Sequence, residues 1–299
     1  MRTHSIIHAR CHSTGAILFA FAAFTGLLAN LAVAFSQDRG RAHDGTTAST
    51  SENPVGEAAQ LPEGVALMCG AETNAFTADS SNLLTDSEKT AGWKLLFDGK
   101  TTDGWRTYKR NDVAPGWKVV DGTLTCADPK NAGDLVTTDN FDWFELSLEY
   151  NISVGGNSGV MFHVVDGPAL TWQSGPEIQL LDNKAEGGQE SQLAGWLYQL
   201  YKPDIDPKTG KPIDATKPAG QWNELRVLVT PEKCETYMNG VKYYQFVLGS
   251  QDFNDHVAKS KFASMAKFAK SDSGYIALQG DHGQVAFRNI KIRPIAAKQ

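Results

Sequence analysis

The clearest pattern in the chain is strict alternation. From Phe144 to Ile152, apolar residues at Phe144, Leu146, Leu148, Tyr150 and Ile152 alternate with polar ones, which predicts a strand with one buried and one wet face. Leu225, Val227 and Val229 repeat the pattern in NELRVLVT. Asp121-Gly122 and Asn239-Gly240 fall between strand-like runs, where a two-residue turn needs positive φ at both positions, so WKVVDGTLTC and CETYMNGVKYY read as hairpins. Further strands are expected near 93–97, 134–138, 157–165, 175–182, 195–201, 274–279 and 284–293. One helix is expected over 255–268. Residues 202–221 hold four prolines and no strand pattern, which marks a long loop. About a dozen short strands with little helix predict an all-β fold of packed antiparallel sheets.

Two segments outside this pattern change the picture. Residues 1–35 have a basic start followed by AILFAFAAFTGLLANLAVA, with Ala32-Val33-Ala34 as a small-residue cleavage site. They read as a secretory signal, against the alternative of a retained membrane anchor. Removal of the segment implies an exported protein, periplasmic or extracellular, with no stable membrane span. Residues 36–91 read as an acidic linker. Between 38 and 90 there are nine Asp and Glu against three Lys and Arg, and one aromatic residue, Phe76. Such a stretch buries too little apolar area to offset its ordering entropy. The folded domain is thus expected over 92–294, with 295–299 as a tail.

The formal net charge of −6 leaves no basic surplus for phosphate contacts, so a nucleic-acid partner is not expected. After signal removal Cys69, Cys126 and Cys234 remain, an odd number without metal-finger spacing, and isolated thiols are the simpler reading.

The chemistry-bearing residues gather around SGPEIQLLD, 174–182. Glu177 and Gln179 share one strand face, while Ile178 and Leu180 take the other; Asp182 rejoins the first face only across a bulge. A polar row on an apolar strand suits a wet cleft, a metal or a partner, or simply the solvent face. The spacing is that of the E-x-D-x-x-E signature of laminarinase-type glycosidases, here E-x-Q-x-x-D, which lacks the middle carboxylate. His282 in LQGDHGQ sits in a turn and suits a base or a metal ligand, with no role as the alternative. His163 alternates with Met161 and Val165 and reads as either a core histidine or a ligand. Trp172, Trp196, Tyr198, Tyr201 and Trp222 crowd the same stretch and suit either sugar stacking or the core.

The sequence resembles the 3-keto-disaccharide hydrolase domain family. The matching stretches are WKLLFDG (93–99), DGW (103–105), NSGVMF (157–162), GPEIQLLDN (175–183), QWN (221–223), ETYMNG (235–240), SKF (260–262) and ALQGDHGQVAFRNIKIRP (277–294), in family order. Two positions depart from it: Thr236 where the family often has His, and Gly280 inserted before Asp281. The resemblance implies a concanavalin A-like jelly-roll β-sandwich that acts on glycosides already oxidised to a ketone at C3. Glu177, Asp182 and His282 are then expected to carry catalysis. Gln179, Trp172, Trp196, Tyr198, Trp222 and Asn223 would bind the carbohydrate, and Glu177 with His282 would hold a divalent metal ion if one is used. A non-catalytic glycan-binding module and a secreted structural domain stay open as alternatives.

Overall fold

Both expected hairpins form. β3 (Trp117–Val120) and β4 (Thr123–Cys126) join through Asp121 and Gly122 at φ 47° and 73°. β10 (Cys234–Met238) and β11 (Val241–Phe246) join through Asn239 and Gly240 at φ 49° and 79°. This computed structural model describes residues 81–185 and 192–296. The expected signal, its cleavage site, most of the acidic linker, Cys69 and part of the tail lie outside the described residues. Among those described, no helix is long and apolar enough to cross a membrane.

The other strands are β1 (Lys94–Leu95), β2 (Trp105–Thr107), β5 (Leu135–Thr137), β6 (Phe144–Ile152), β7 (Asn157–Val164), β8 (Glu177–Leu181), β9 (Asn223–Val229), β12 (Tyr275–Leu278) and β13 (Val285–Pro294). They make two antiparallel sheets. One runs β11-β10-β9-β6-β13-β4-β3, with β1 also paired to β13, and the other runs β2-β5-β12-β7-β8. Phe144, Leu146 and Leu148 from the larger sheet meet Phe162, Ile178 and Leu180 from the smaller one in a single core, as a jelly-roll sandwich requires. Burying a side chain of this size contributes about 2–3 kcal/mol.

Four local expectations need correction. The β6 alternation is incomplete, because Glu145 and Ser147 on the outer face are buried too. Arg226 and Arg293 fold over Glu145 and pair with its two carboxylate oxygens. His163 does not share a face with Met161. A register shift opposite β12 inserts a residue, His163 takes φ 54°, and its ring lies beside Phe144 and Phe162 with Nε2 2.6 Å from the Asp142 carbonyl. Burial lowers its pKa, which favours a neutral core histidine. The expected helix is split. α2 (Gln251–Ala258) starts at Ser250, whose hydroxyl accepts from the Phe253 N–H, and a separate 3-10 turn (Lys261–Ser264) starts at Ser260 in the same way. A serine that caps a new turn competes with helix continuation.

The fourth correction concerns where the packed domain begins. α1 (Asp86–Thr90) carries a reciprocal capping box between Thr85 and Glu88, and Glu88 pairs with Lys291. Asn82 is buried: it exchanges backbone-to-side-chain hydrogen bonds with Asn289 at 2.6 and 2.9 Å and donates to the Gly122 carbonyl at 2.8 Å. Residues 81–91 therefore belong to the sandwich rather than to the linker. The two described cysteines, Cys126 and Cys234, are free and buried, and burial pushes each thiol up to about 12.

Candidate active site

The smaller sheet carries the site on the face turned away from the core. Ile178 and Leu180 of β8 enter the core, so Glu177 and Gln179 must face outward. They are nonetheless almost fully buried, at 6% and 2% exposure. β7 lies beside them with Met161 opposite Glu177 and Gly159 opposite Gln179. A Cβ at Gly159 would overlap the Glu177 carboxyl group, so only glycine leaves room for it there. Gln179 Nε2 donates to Asn157 Oδ1 at 2.9 Å. Gln279, just past β12, donates its N–H to the Gly159 carbonyl at 2.9 Å and comes to lie next in the row.

Three loops wall this floor. On one side, Thr171-Trp172-Gln173 forms a 3-10 turn, and residues 280–284 form the turn that carries Asp281 and His282. Asp134 ties the two together: it accepts from the Thr171 hydroxyl and, at 3.2 Å, from the Gly280 N–H. Gly280 packs against the Trp117 ring and Gly283 against the Asn157 backbone, so side chains at either position would push the His282 turn away. On the other side, residues 194–201 run along the free edge of β8. Gln179 N–H donates to the Trp196 carbonyl, Gly195 N–H to the Gln179 carbonyl, and Tyr198 N–H to the Glu177 carbonyl, at 2.7–2.9 Å. The expected strand at 195–201 is thus reduced to bridges, yet it brings the Tyr198 ring over the site.

The result is a cavity of about 170 Å³ lined by Asn157, Trp172, Glu177, Gln179, Tyr198, Lys261, Gln279 and His282. Among the described residues, no donor hydrogen-bonds the Glu177 carboxyl group. Burial pushes its pKa up to about 7; Lys261 and His282 pull it down, and Asp134 and Asp281 push it up. His282 is half-exposed, with Nδ1 hydrogen-bonded to Asp281, and that bond is the main cause of its raised pKa. Lys261 Nζ lies 4.5 Å from the Trp172 ring centre and 4.3 Å from that of Tyr198.

Of the nine residues given catalytic or binding roles in the sequence, Glu177, Gln179, His282, Trp172 and Tyr198 meet here, and four do not. Asp182 leaves the strand without the expected bulge, and its carboxylate accepts from the Gly155 and Lys184 N–H groups at 3.0 and 3.1 Å. Trp196 lines a separate cavity with Leu193 and Ile213. Trp222 lies under Arg288, 4.1 Å from ring centre to guanidinium carbon. Asn223 is spent on Lys217 and Asn239, where it pins the 202–221 loop to the β10–β11 hairpin. No residue of that loop lines the cavity. Conversely, Asn157, Lys261 and Gln279 sit within the quoted stretches NSGVMF, SKF and ALQGDHG but carry no periodicity that marks them.

A divalent cation needs several hard ligands at once. Among the described residues, no three His, Cys, Asp or Glu side chains come together as a metal would require. His282 Nδ1 is engaged with Asp281, and the positive group facing Glu177 is Lys261. These side chains do not fit a protein-held metal.

Residues 92–293 match the 3-keto-alpha-glucoside-1,2-lyase-like domain. The chain belongs to that family. A relative from Bacteroides thetaiotaomicron, a 3-keto-disaccharide hydrolase, is 28% identical over 194 residues, which span 56% of this chain and 63% of that protein. The crystal structure of a candidate glycosyl hydrolase from Parabacteroides distasonis superimposes with a TM-score of 0.65 at 31% identity, covering 72% of this chain and all of the other. A second such structure from the same organism gives 0.52 at 28% identity, over 68% and 99%.

Proposed function

We propose that this family member is an exported enzyme that cleaves 3-keto-glycosides by base-initiated elimination across C1 and C2, followed by addition of water. The observation that carries this reading is Glu177: a buried carboxyl group without a hydrogen-bond donor, held near neutrality, facing a polar cavity. A general base works best when its pKa lies near the operating pH. The cavity is smaller than the roughly 300 Å³ at which drug-sized sites begin, and suits one sugar ring with the remainder outside.

A ketone at C3 makes the C2 hydrogen acidic. Ionised Glu177 takes that proton, and the electron pair forms the C2–C3 enolate. Return of the pair to the C3 carbonyl sets up the C1–C2 double bond and expels the group at C1. Protonated His282 donates to the departing oxygen. Water then adds at C1 and gives a proton to the now neutral His282, while Glu177 returns its proton to C2, which leaves a free 3-keto sugar and restores both side chains. Gln179, Asn157 and Gln279 offer donors and acceptors for ring hydroxyls. Only one carboxyl group in the cavity is needed, in contrast to the paired carboxylates of a retaining glycosidase, and this agrees with glutamine at position 179.

The relative's name and the family support the substrate class. A binding module would need free aromatic faces for stacking, but both rings in the cavity already flank the Lys261 ammonium. The test is to incubate the purified protein with a 3-keto-glucoside and the plain glucoside, with and without chelator. Release of the aglycone from the keto compound alone is expected, and chelator should leave the rate unchanged. Binding of both sugars without release would favour the module.

A further inference from the structure

The elimination above leaves one charge unattended. When C2 loses its proton, negative charge builds on the C3 oxygen, inside a site whose base is itself a buried carboxyl group. Among the described residues, Lys261 is the cationic side chain that lines the cavity besides His282. The turn that carries it is fixed from below: Phe262 is buried and stacks on Phe268 at 4.0 Å, and Ser260 caps the turn's start. The ammonium lies within 4.5 Å of two aromatic ring centres, which hold a cation by their quadrupoles without consuming its N–H groups. Among the described residues, no carboxylate lies within ion-pair range of Lys261 Nζ and no acceptor takes a hydrogen bond from it; its electrostatic partner is Glu177. Lys242, by contrast, is engaged with Glu235 and Gln245. A caged ammonium with free N–H donors therefore opens onto the same small space as the base.

We propose that the Lys261 ammonium hydrogen-bonds the C3 oxygen of the bound 3-keto sugar and neutralises the enolate as it forms. This assignment rests on the function proposed above. Lys261 stays protonated throughout and forms no covalent bond. It donates to the ketone oxygen, holds the oxyanion while the electron pair resides there, and releases it when the pair returns to expel the group at C1. Burial lowers the Lys261 pKa while Glu177 opposes that shift, so the donor is more acidic than an ordinary lysine, which strengthens a hydrogen bond to an oxyanion.

The experiment uses four variants. K261M should lower kcat on a 3-keto-glucoside by about two to three decades with KM little changed, the range found for lost oxyanion donors. K261R should restore part of the rate. Because Lys261 pulls the Glu177 pKa down, K261M should also move the rising limb of the pH–rate profile to higher pH. A turnover-free readout uses kojic acid, whose anion is a planar pyranone with an enolate-like oxygen. E177Q mimics the protonated base and should bind it, and E177Q/K261M should bind at least tenfold more weakly. Near-wild-type turnover in K261M, equal kojate binding in both variants, or borohydride trapping of the sugar on Lys261 would each overturn the assignment. A wild-type protein inert toward every 3-keto-glycoside would instead overturn the proposed function.

Discussion

Glu177 and Glu235 are equally buried, each about 6% exposed, and their environments drive them in opposite directions. Glu235 sits on the outer face of the larger sheet. Burial alone would raise its pKa, but Lys242, Lys233 and Tyr237 all donate to it and outweigh that, so it falls below the usual range. Glu177 sits on the outer face of the smaller sheet, where burial meets no donor, and it rises to about 7. Glu145, bracketed by Arg226 and Arg293, repeats the Glu235 arrangement. Exposure alone does not separate a carboxylate that keeps its charge from one that gives it up near neutral pH. The presence of hydrogen-bond donors does, because a buried ion is tolerable when paired and otherwise gives up its charge.

The largest test of this contrast is E177Q. It removes the charge at nearly constant volume and should cost two to four decades in the rate of 3-keto-glycoside cleavage. The corresponding change at Glu235 or Glu145 should leave the rate within a few-fold of wild type. Equal losses at Glu177 and Glu235 would break the comparison.

The stability counterpart has the opposite sign. Between about pH 4.5 and 7 the folded state keeps a proton on Glu177 that the unfolded chain has released, so stability falls as pH rises across that window. Above pH 7 the full burden, about 3 kcal/mol for a shift of this size, is present. E177Q should therefore match wild type in urea at pH 4.5 and exceed it at pH 8. The wild-type rate should rise with pH through about 7, as Glu177 ionises. A gap that closes toward high pH would contradict the assignment.

Glu145→Gln should lower stability by about 1–2 kcal/mol, since it leaves two arginines without their shared partner; both are over a third exposed, so solvent screens the loss. Glu235 makes a related prediction through its lowered pKa. Its contribution is present above the unfolded value and is lost as pH falls through the folded one, so the E235Q destabilisation should shrink in acid. The smallest effect is expected at Asp182. Asp182→Ala frees two backbone N–H groups and should cost about 1 kcal/mol in urea unfolding, with activity within a few-fold. A collapse of activity there would restore Asp182 to the catalytic set.

Much of the architecture was written in local patterns. Period-two alternation placed β6 and β9, and Asp-Gly and Asn-Gly placed both hairpins, because each signal depends on a few adjacent residues. The same alternation put Glu177 and Gln179 on one face, opposite Ile178 and Leu180. Where sequence reasoning failed, the deciding force came from elsewhere in the chain. Asp182 was expected to rejoin Glu177, but the Gly155 and Lys184 N–H groups capture it. His163 was placed beside Met161, yet one inserted residue opposite β12 turned it inward.

The sequence by itself determined that these residues form a sandwich of antiparallel sheets, that β8 presents a polar row away from the core, and that a histidine lies in a turn near the end. Short-range stereochemistry and burial periodicity suffice for that. Only the tertiary structure decided which polar residues become a site. Gly159, opposite Gln179 on a neighbouring strand, leaves room for the Glu177 carboxyl group; Asp134 joins the loops of Trp172 and His282; and a serine cap breaks a helix so that Lys261 reaches between two rings. Each depends on contacts between residues far apart in the chain. The charge state of Glu177 depends on all of them together, because a pKa is set by the solvent, donors and charges that the fold leaves around the group.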